Sequence, residues 1–275
     1  MNLWLETIAV ILVALLGVFL GKVFSGLRKR LWLCGYVLPF LLISVLATIR
    51  FSDVLASIAP VCWIAAGRVR FVVLCFAVPM GLITPLSRLS RRFERITVCI
   101  LMVVVVCWFG ILPFLVPALI KERLSNLTTR LDSNGICYQS TDYTCGPAAA
   151  VTALRRLGLQ ADEGELAVLA YSSSIAGTVP DCLAEAINNR YAAEGLKCKY
   201  RHFNSLDQIN NPQLTLALVK DTFLSNHCVA ILEISDNVVT FADPVCGKTR
   251  MSRKQFEKIW RFSGIVLEPQ TWQSI

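Results

Sequence analysis

The stretch Gln139-Ser-Thr-Asp-Tyr-Thr-Cys145-Gly146-Pro147-Ala-Ala-Ala150 decides how the rest of the chain is read. A polar loop runs into a cysteine, Gly-Pro follows, and small residues open a helix expected over Ala148–Leu157. The Cys145 thiol therefore lies at or just before a helix N-terminus, where unsatisfied N–H groups and the positive dipole end favour a thiolate. Gln139, six residues upstream, is near enough for its side-chain amide to help bind an oxyanion beside the sulfur. A nucleophile needs a base, and the base needs an orienting group. Of the two histidines, His227 opens the apolar run Cys228-Val-Ala-Ile-Leu, and Asp243 ends a second run, Val238-Val-Thr-Phe-Ala. Two strands joined by Ser235-Asp236-Asn237 would form a hairpin that sets His227 beside Asp243. The other histidine, His202, sits in Lys-Tyr-Arg-His-Phe with no acidic partner downstream.

The chain order Gln139, Cys145, His227, Asp243 is that of papain-like cysteine proteases, and the context resembles the peptidase C39 family, papain-like domains that process bacteriocin leader peptides. The resemblance rests on Gln139-x5-Cys145-Gly146, on Gly177-Thr178, on His227 followed by small apolar residues, and on Asp243-Pro244-x2-Gly247, and it spans roughly Gly135 to Glu268. Thr144 stands where many transporter-borne members carry an acidic residue before the cysteine. Alanines stand where they often have a second cysteine. The resemblance implies an α+β papain-like fold, Cys145, His227, Asp243 and Gln139 as the catalytic set, Asp243 as orienter of the imidazole, and Gly-Gly-type leader peptides as family substrates.

Composition adds a second region. The chain is 55% hydrophobic and 17% charged, too apolar for an ordinary soluble protein. Its net charge of +8 is not a nucleic-acid footprint. Residues 1–130 hold 14 Lys/Arg against 4 Asp/Glu, and residues 131–275 hold 13 against 15. The surplus sits in short clusters between apolar runs, as topology signals do, and leaves no basic face for phosphates. Membrane helices are expected over 3–24, 31–49, 71–86 and 96–120. Val54–Ala66 is too short to cross and is expected to be interfacial or re-entrant. Lys22, Arg28, Lys29 and Arg30 would share a face with Arg88, Arg91, Arg92 and Arg95. That makes this face cytoplasmic and places the following domain outside the cytoplasm, as in a bacterial inner-membrane protein.

The expected organisation is a transmembrane region over 1–120, a linker over 121–133 and a peptidase-like domain over 134–275. Helices should start near Asp162 and run over Pro180–Tyr191. Strands are expected at Lys197–His202, Thr215–Val219, Cys228–Ile234, Val238–Ala242 and Gly264–Leu267, with a short helix opened by the capping box at Ser252. No Cys/His spacing suggests a metal site, and no cofactor is expected. Gly247-Lys248-Thr249 imitates the end of a P-loop, but Ala242 stands where its first glycine is required. Two functions follow: a membrane-anchored cysteine peptidase acting on a peptide or protein, or a catalytically silent peptide-binding module serving a separate ABC transporter or membrane complex. Four spans acting as a small transporter are disfavoured by their few interior charges. An outside location would also predict a disulfide among Cys137, Cys182, Cys198, Cys228 and Cys246.

Overall fold

The computed structural model describes residues 3–28, 30–51, 69–209, 214–221 and 226–269. The chain divides into two compact units, one ending at Leu119 and the other continuing from Ile120. The expected segment Val54–Ala66 lies outside the described residues.

The first unit is helical. Four stretches among the described residues are long and apolar enough to cross a membrane: Leu5–Ser25, Leu31–Ile49, Val69–Arg88 and Arg92–Leu119. The apolar side chains Leu12, Phe19, Phe40, Ile100 and Trp108 are exposed, as a lipid-facing surface requires. Where helices meet, small residues let backbones approach. A Cβ on Gly17 would collide with the Phe76 carbonyl oxygen, and one on Gly21 would lie 2.7 Å from the Met80 carbonyl oxygen. These glycines are four residues apart on one face of the helix Leu3–Ser25, the small-xxx-small pattern of close membrane packing. The fourth span starts at Arg92, four residues before the expected position, and contains a π-helical turn at Val106–Ile111.

The second unit is an α+β domain. A short helix, Lys121–Ser125, leads to strand β1 (Arg130–Leu131), which pairs antiparallel with β2 (Cys137–Tyr138). Helices follow at Cys145–Arg156, Glu163–Leu169 and Pro180–Arg190. Six strands then form an antiparallel sheet: β3 (Leu196–His202), β4 (Thr215–Lys220), β5 (Asn226–Ile234), β6 (Val238–Asp243), β7 (Gly247–Ser252) and β8 (Trp260–Pro269), in the order β3-β8-β4-β5-β6-β7. The helix Arg253–Ile259 is opened by the expected capping box, in which Ser252 Oγ accepts from the Gln255 amide and Gln255 Oε1 accepts from the Ser252 amide at 3.0 Å.

Both faces of the sheet are covered. On one, the Cys145–Arg156 and Pro180–Arg190 helices lay Ala149, Leu154, Leu183 and Ile187 against Leu216, Cys228 and Ala230. On the other, Val229, Ile231 and Phe241 meet an aromatic cluster of Phe203, Phe256 and Trp260. Alternate residues of β5 thus serve two cores, which is why it reads as a continuous apolar run and not as alternating polarity.

One strand lies outside the expected set, and the start of another is corrected. β7 is an edge strand whose Lys248 and Arg250 face solvent, so its sequence lacks an apolar signal. β8 begins at Trp260, four residues earlier than expected. The register shift opposite Ala217–Val219 and the positive φ of 51° at Phe262 interrupt its period there. Among the described residues, the five cysteines 137, 182, 198, 228 and 246 form no disulfide with one another. Cys198 on β3 and Cys228 on β5 are separated by β8 and β4, beyond the reach of a disulfide.

Candidate active site

The site is assembled at one end of the sheet from a helix start, a hairpin end and a loop. Cys145 is the first residue of its helix, three residues before the expected start. Thr144 precedes it, but its hydroxyl turns into the loop: the Thr141 amide donates to Thr144 Oγ1 at 3.1 Å, and the Thr144 amide to the Thr141 carbonyl at 3.2 Å. The helix therefore has no side-chain cap, and its first N–H groups stay available for an anion. Gly146 sits in a tight place, since a Cβ there would lie 3.1 Å from Leu183 Cδ2 and 3.2 Å from Thr178 Cβ. Thr178 in turn donates from Oγ1 to the Tyr143 carbonyl at 2.9 Å. The Gly177-Thr178 pair thus braces the backbone just ahead of the cysteine, with Gly177 at a φ of 70° in the turn.

The β5–β6 hairpin closes as expected, with the Ser235 amide donating to the Val238 carbonyl at 2.9 Å. Its register sets Ala230 opposite Ala242, so His227 and Asp243 come together at the far end. His227 Nε2 lies 2.8 Å from Asp243 Oδ1, with both side chains less than a fifth exposed. The same imidazole interacts with Cys145, which helps to raise its pKa. With Nε2 committed to the carboxylate, Nδ1 is the ring atom left for the sulfur. Burial disfavours the charged ring, but the hydrogen bonds and negative charges of Asp243 and Cys145 outweigh it and push His227 up to about 10. Burial of Asp243 is likewise outweighed by His227 and by the Val245 amide, which donates to Oδ1 at 2.8 Å, so the carboxyl is held below its ordinary value.

Gln139 is tied to the same place by its backbone. Its amide donates to the Pro244 carbonyl at 2.9 Å, directly beside Asp243. Its side-chain Oε1 is buried and has no hydrogen-bond partner among the described residues. Gly247 ends the turn after Asp243 at a φ of 80°, and a Cβ there would meet Tyr138 Oη at 2.7 Å. The structure therefore brings all four expected residues to one locality. His202 is elsewhere, on edge strand β3, with neither ring nitrogen hydrogen-bonded among the described residues and its pKa lowered by burial. Lys248 and Thr249 lie on β7 and form no phosphate loop.

One residue of the site carried no sequence signal. Glu163 is fully buried, and its carboxylate accepts from the Ser140 amide and hydroxyl, each at 2.7 Å. An acid in a helix's first turn normally reads as a solvated, dipole-friendly choice. Among the described residues, no group of three or more His, Cys, Asp or Glu side chains could hold a metal ion.

A thiol beside an imidazole that is itself hydrogen-bonded to a carboxylate is the arrangement of a cysteine nucleophile with its base. The family model for peptidase C39 matches residues 133–273, and the chain belongs to the peptidase C39 family. An uncharacterized protein of Methanothermobacter marburgensis is 31% identical over 133 residues, 48% of this chain and 87% of that protein. Among solved structures, the peptidase domain of Streptococcus ComA, a bi-functional ABC transporter involved in a quorum-sensing pathway, is 22% identical. The match covers 48% of this chain and 96% of that one, with a TM-score of 0.42. A double glycine motif protease from an AMS/PCAT transporter, solved with the leader peptide, is 13% identical over 53% of this chain and 96% of that one, with a TM-score of 0.41.

Proposed function

We propose that this chain is a membrane-anchored cysteine peptidase whose catalytic set is Cys145, His227, Asp243 and Gln139. The observation that supports the reading is the His227–Asp243 pair, hydrogen-bonded at 2.8 Å, with Cys145 at an uncapped helix start raising the same imidazole's pKa. Cys145 attacks a peptide carbonyl carbon as a thiolate. The Gln139 amide and the Cys145 backbone N–H receive the oxyanion. His227 gives its proton to the leaving amine, which departs as the carbonyl re-forms, leaving a thioester on sulfur. A water molecule, deprotonated by His227, then attacks the thioester and frees the acid and the thiol. Asp243 holds the imidazole in orientation throughout.

The anchor is the region over 1–120, followed by a connecting segment over 121–133 and the peptidase domain over 134–275. The basic residues that follow the first span and precede the fourth favour the cytoplasm for that side, whereas the absence of a disulfide among Cys137, Cys182, Cys198, Cys228 and Cys246 weighs against an extracytoplasmic peptidase domain.

The test is the alkylation rate of Cys145 against pH in the full chain, in wild type and in His227→Ala. An unperturbed thiol, with a pKa near ~8.5, labels slowly in acid. Fast labelling below neutrality that His227→Ala abolishes, together with cleavage of peptides carrying a Gly-Gly sequence, is the expected result. Ordinary thiol titration unaffected by the substitution, with no cleavage, would leave a peptide-binding module in place of an enzyme.

A further inference from the structure

Burying a carboxylate is costly unless hydrogen bonds repay it, and a core position at the start of a helix is ordinarily filled by an apolar side chain. Glu163 is 0% exposed and, among the described residues, no cation pairs with it. Both of its oxygens are spent on one residue, Ser140: Oε1 accepts the backbone N–H and Oε2 the hydroxyl, each at 2.7 Å. Ser140 follows Gln139, whose own amide is fastened to the Pro244 carbonyl at 2.9 Å. Residue 139 is thus gripped on two sides, by the turn that carries Asp243 and by a buried acid. The acid is itself anchored. The Glu163 amide donates to Thr129 Oγ1 at 2.8 Å, and that hydroxyl donates to Asp162 Oδ2 at 2.6 Å. Gly164 lets the backbone pass so near that a Cβ would lie 2.6 Å from the Leu124 carbonyl oxygen. A bidentate hold on backbone and side chain fixes both the position and the rotation of the peptide plane between residues 139 and 140. The plane sets where the Gln139 side chain emerges.

We infer that Glu163 is a positioning residue for the reaction: through Ser140 it holds the loop so that the Gln139 side-chain amide meets the oxyanion. The inference rests on the peptidase reading above. An oxyanion donor acts only when it is preorganised, and a misplacement of about 1 Å costs on the order of 100-fold in rate. The role therefore predicts a loss in kcat with KM preserved, and a loss that disappears once Gln139 has no amide to place.

The experiment uses the full chain in detergent micelles. It compares wild type, Glu163→Gln, Ser140→Ala, Gln139→Ala and the double variant Gln139→Ala/Glu163→Gln on a Gly-Gly peptide, with amide hydrogen exchange over residues 139–141. Glu163→Gln, which keeps the shape but exchanges one acceptor oxygen for a donor, is expected to lower kcat about 10- to 100-fold with KM within about twofold. It should also speed exchange at Gln139 and Ser140. Ser140→Ala removes one of the two bonds without burying anything new and gives a smaller loss of the same kind, so the test survives a Glu163 variant that fails to fold. The double variant should be no slower than Gln139→Ala alone. A kcat loss that multiplies with that of Gln139→Ala, or unchanged exchange at residues 139–141 in a folded Glu163→Gln, overturns the inference. A wild type that neither cleaves nor shows an acid-reactive thiol overturns the peptidase reading instead, and the exchange comparison still decides whether Glu163 holds the loop.

Discussion

Asp243→Asn is the perturbation whose size can be worked from the geometry. Within the domain His227 sits at about 10, roughly 3.5 pH units above the ordinary 6.5. At about 1.4 kcal/mol per unit, the net preference of this site for the charged ring is on the order of 5 kcal/mol. Burial opposes that preference, while Asp243 and Cys145 supply it. Asn at 243 removes the negative charge of one of the two partners that outweigh burial, and the His227 titration should fall by about 1–3 pH units. Because the chain contains only two histidines, proton NMR of selectively 13C-histidine-labelled protein reads both rings without ambiguity. His202, whose pKa burial lowers, gives a titration below the ordinary value, and His227 gives one far above it. Asp243→Asn should move the second and leave the first in place. Stability follows with a definite sign. Folding raises the His227 value, so its contribution is fully present below 6.5 and is lost as pH rises through about 10. Folding lowers the Asp243 value, so its contribution is present above 3.8 and is lost as pH falls through the folded value. The stability difference between wild type and Asp243→Asn is therefore largest at neutral pH and closes on both sides. Two histidine titrations below 7 in wild type, or a His227 titration indifferent to Asp243→Asn, would refute the charged-pair account.

Two further substitutions probe the packing inside each unit. Gly247→Ala places a Cβ against Tyr138 Oη at a φ of 80°, so thermal unfolding of the domain should show a loss of about 1–3 kcal/mol; an unchanged midpoint would count against this close approach. In the membrane region, Gly21→Leu forces the helix Leu3–Ser25 away from the Met80 carbonyl and Ile83, and should cost about 1–3 kcal/mol in a denaturation series in detergent, while leaving the Cys145 labelling profile as it was.

The parts of the fold that were legible in the sequence are those with a local signal. The β5–β6 hairpin announces itself by two apolar runs around Ser235-Asp236-Asn237, and the Ser252 capping box by its spacing. The four spans are legible because crossing a bilayer demands length and apolarity together. What escaped depends on partners distant in the chain. β7 is readable only when β6 is known to lie beside it, since Lys248 and Arg250 look like loop residues. The two-residue strands β1 and β2 are too short to show any period. At the site, the proximity of Cys145, His227 and Asp243 was suggested by chain order and the hairpin. The tether of Gln139 to Pro244 and the burial of Glu163 under Ser140 follow from tertiary packing, for which one sequence offers no pattern.

The backbone bond from Gln139 to Pro244 joins segments made at very different moments of synthesis. As the chain leaves the ribosome, the membrane helices come first, then the loop and the cysteine, and only much later the strands that bear the histidine and the aspartate. Until β5 and β6 are laid down beside the Cys145–Arg156 helix, the thiol has neither imidazole nor carboxylate near it. The cysteine therefore gains its imidazole and carboxylate neighbours only at the last stage of sheet assembly. Domains dominated by distant contacts are slow to complete. An unfinished domain of this topology has a cysteine without its imidazole and carboxylate neighbours.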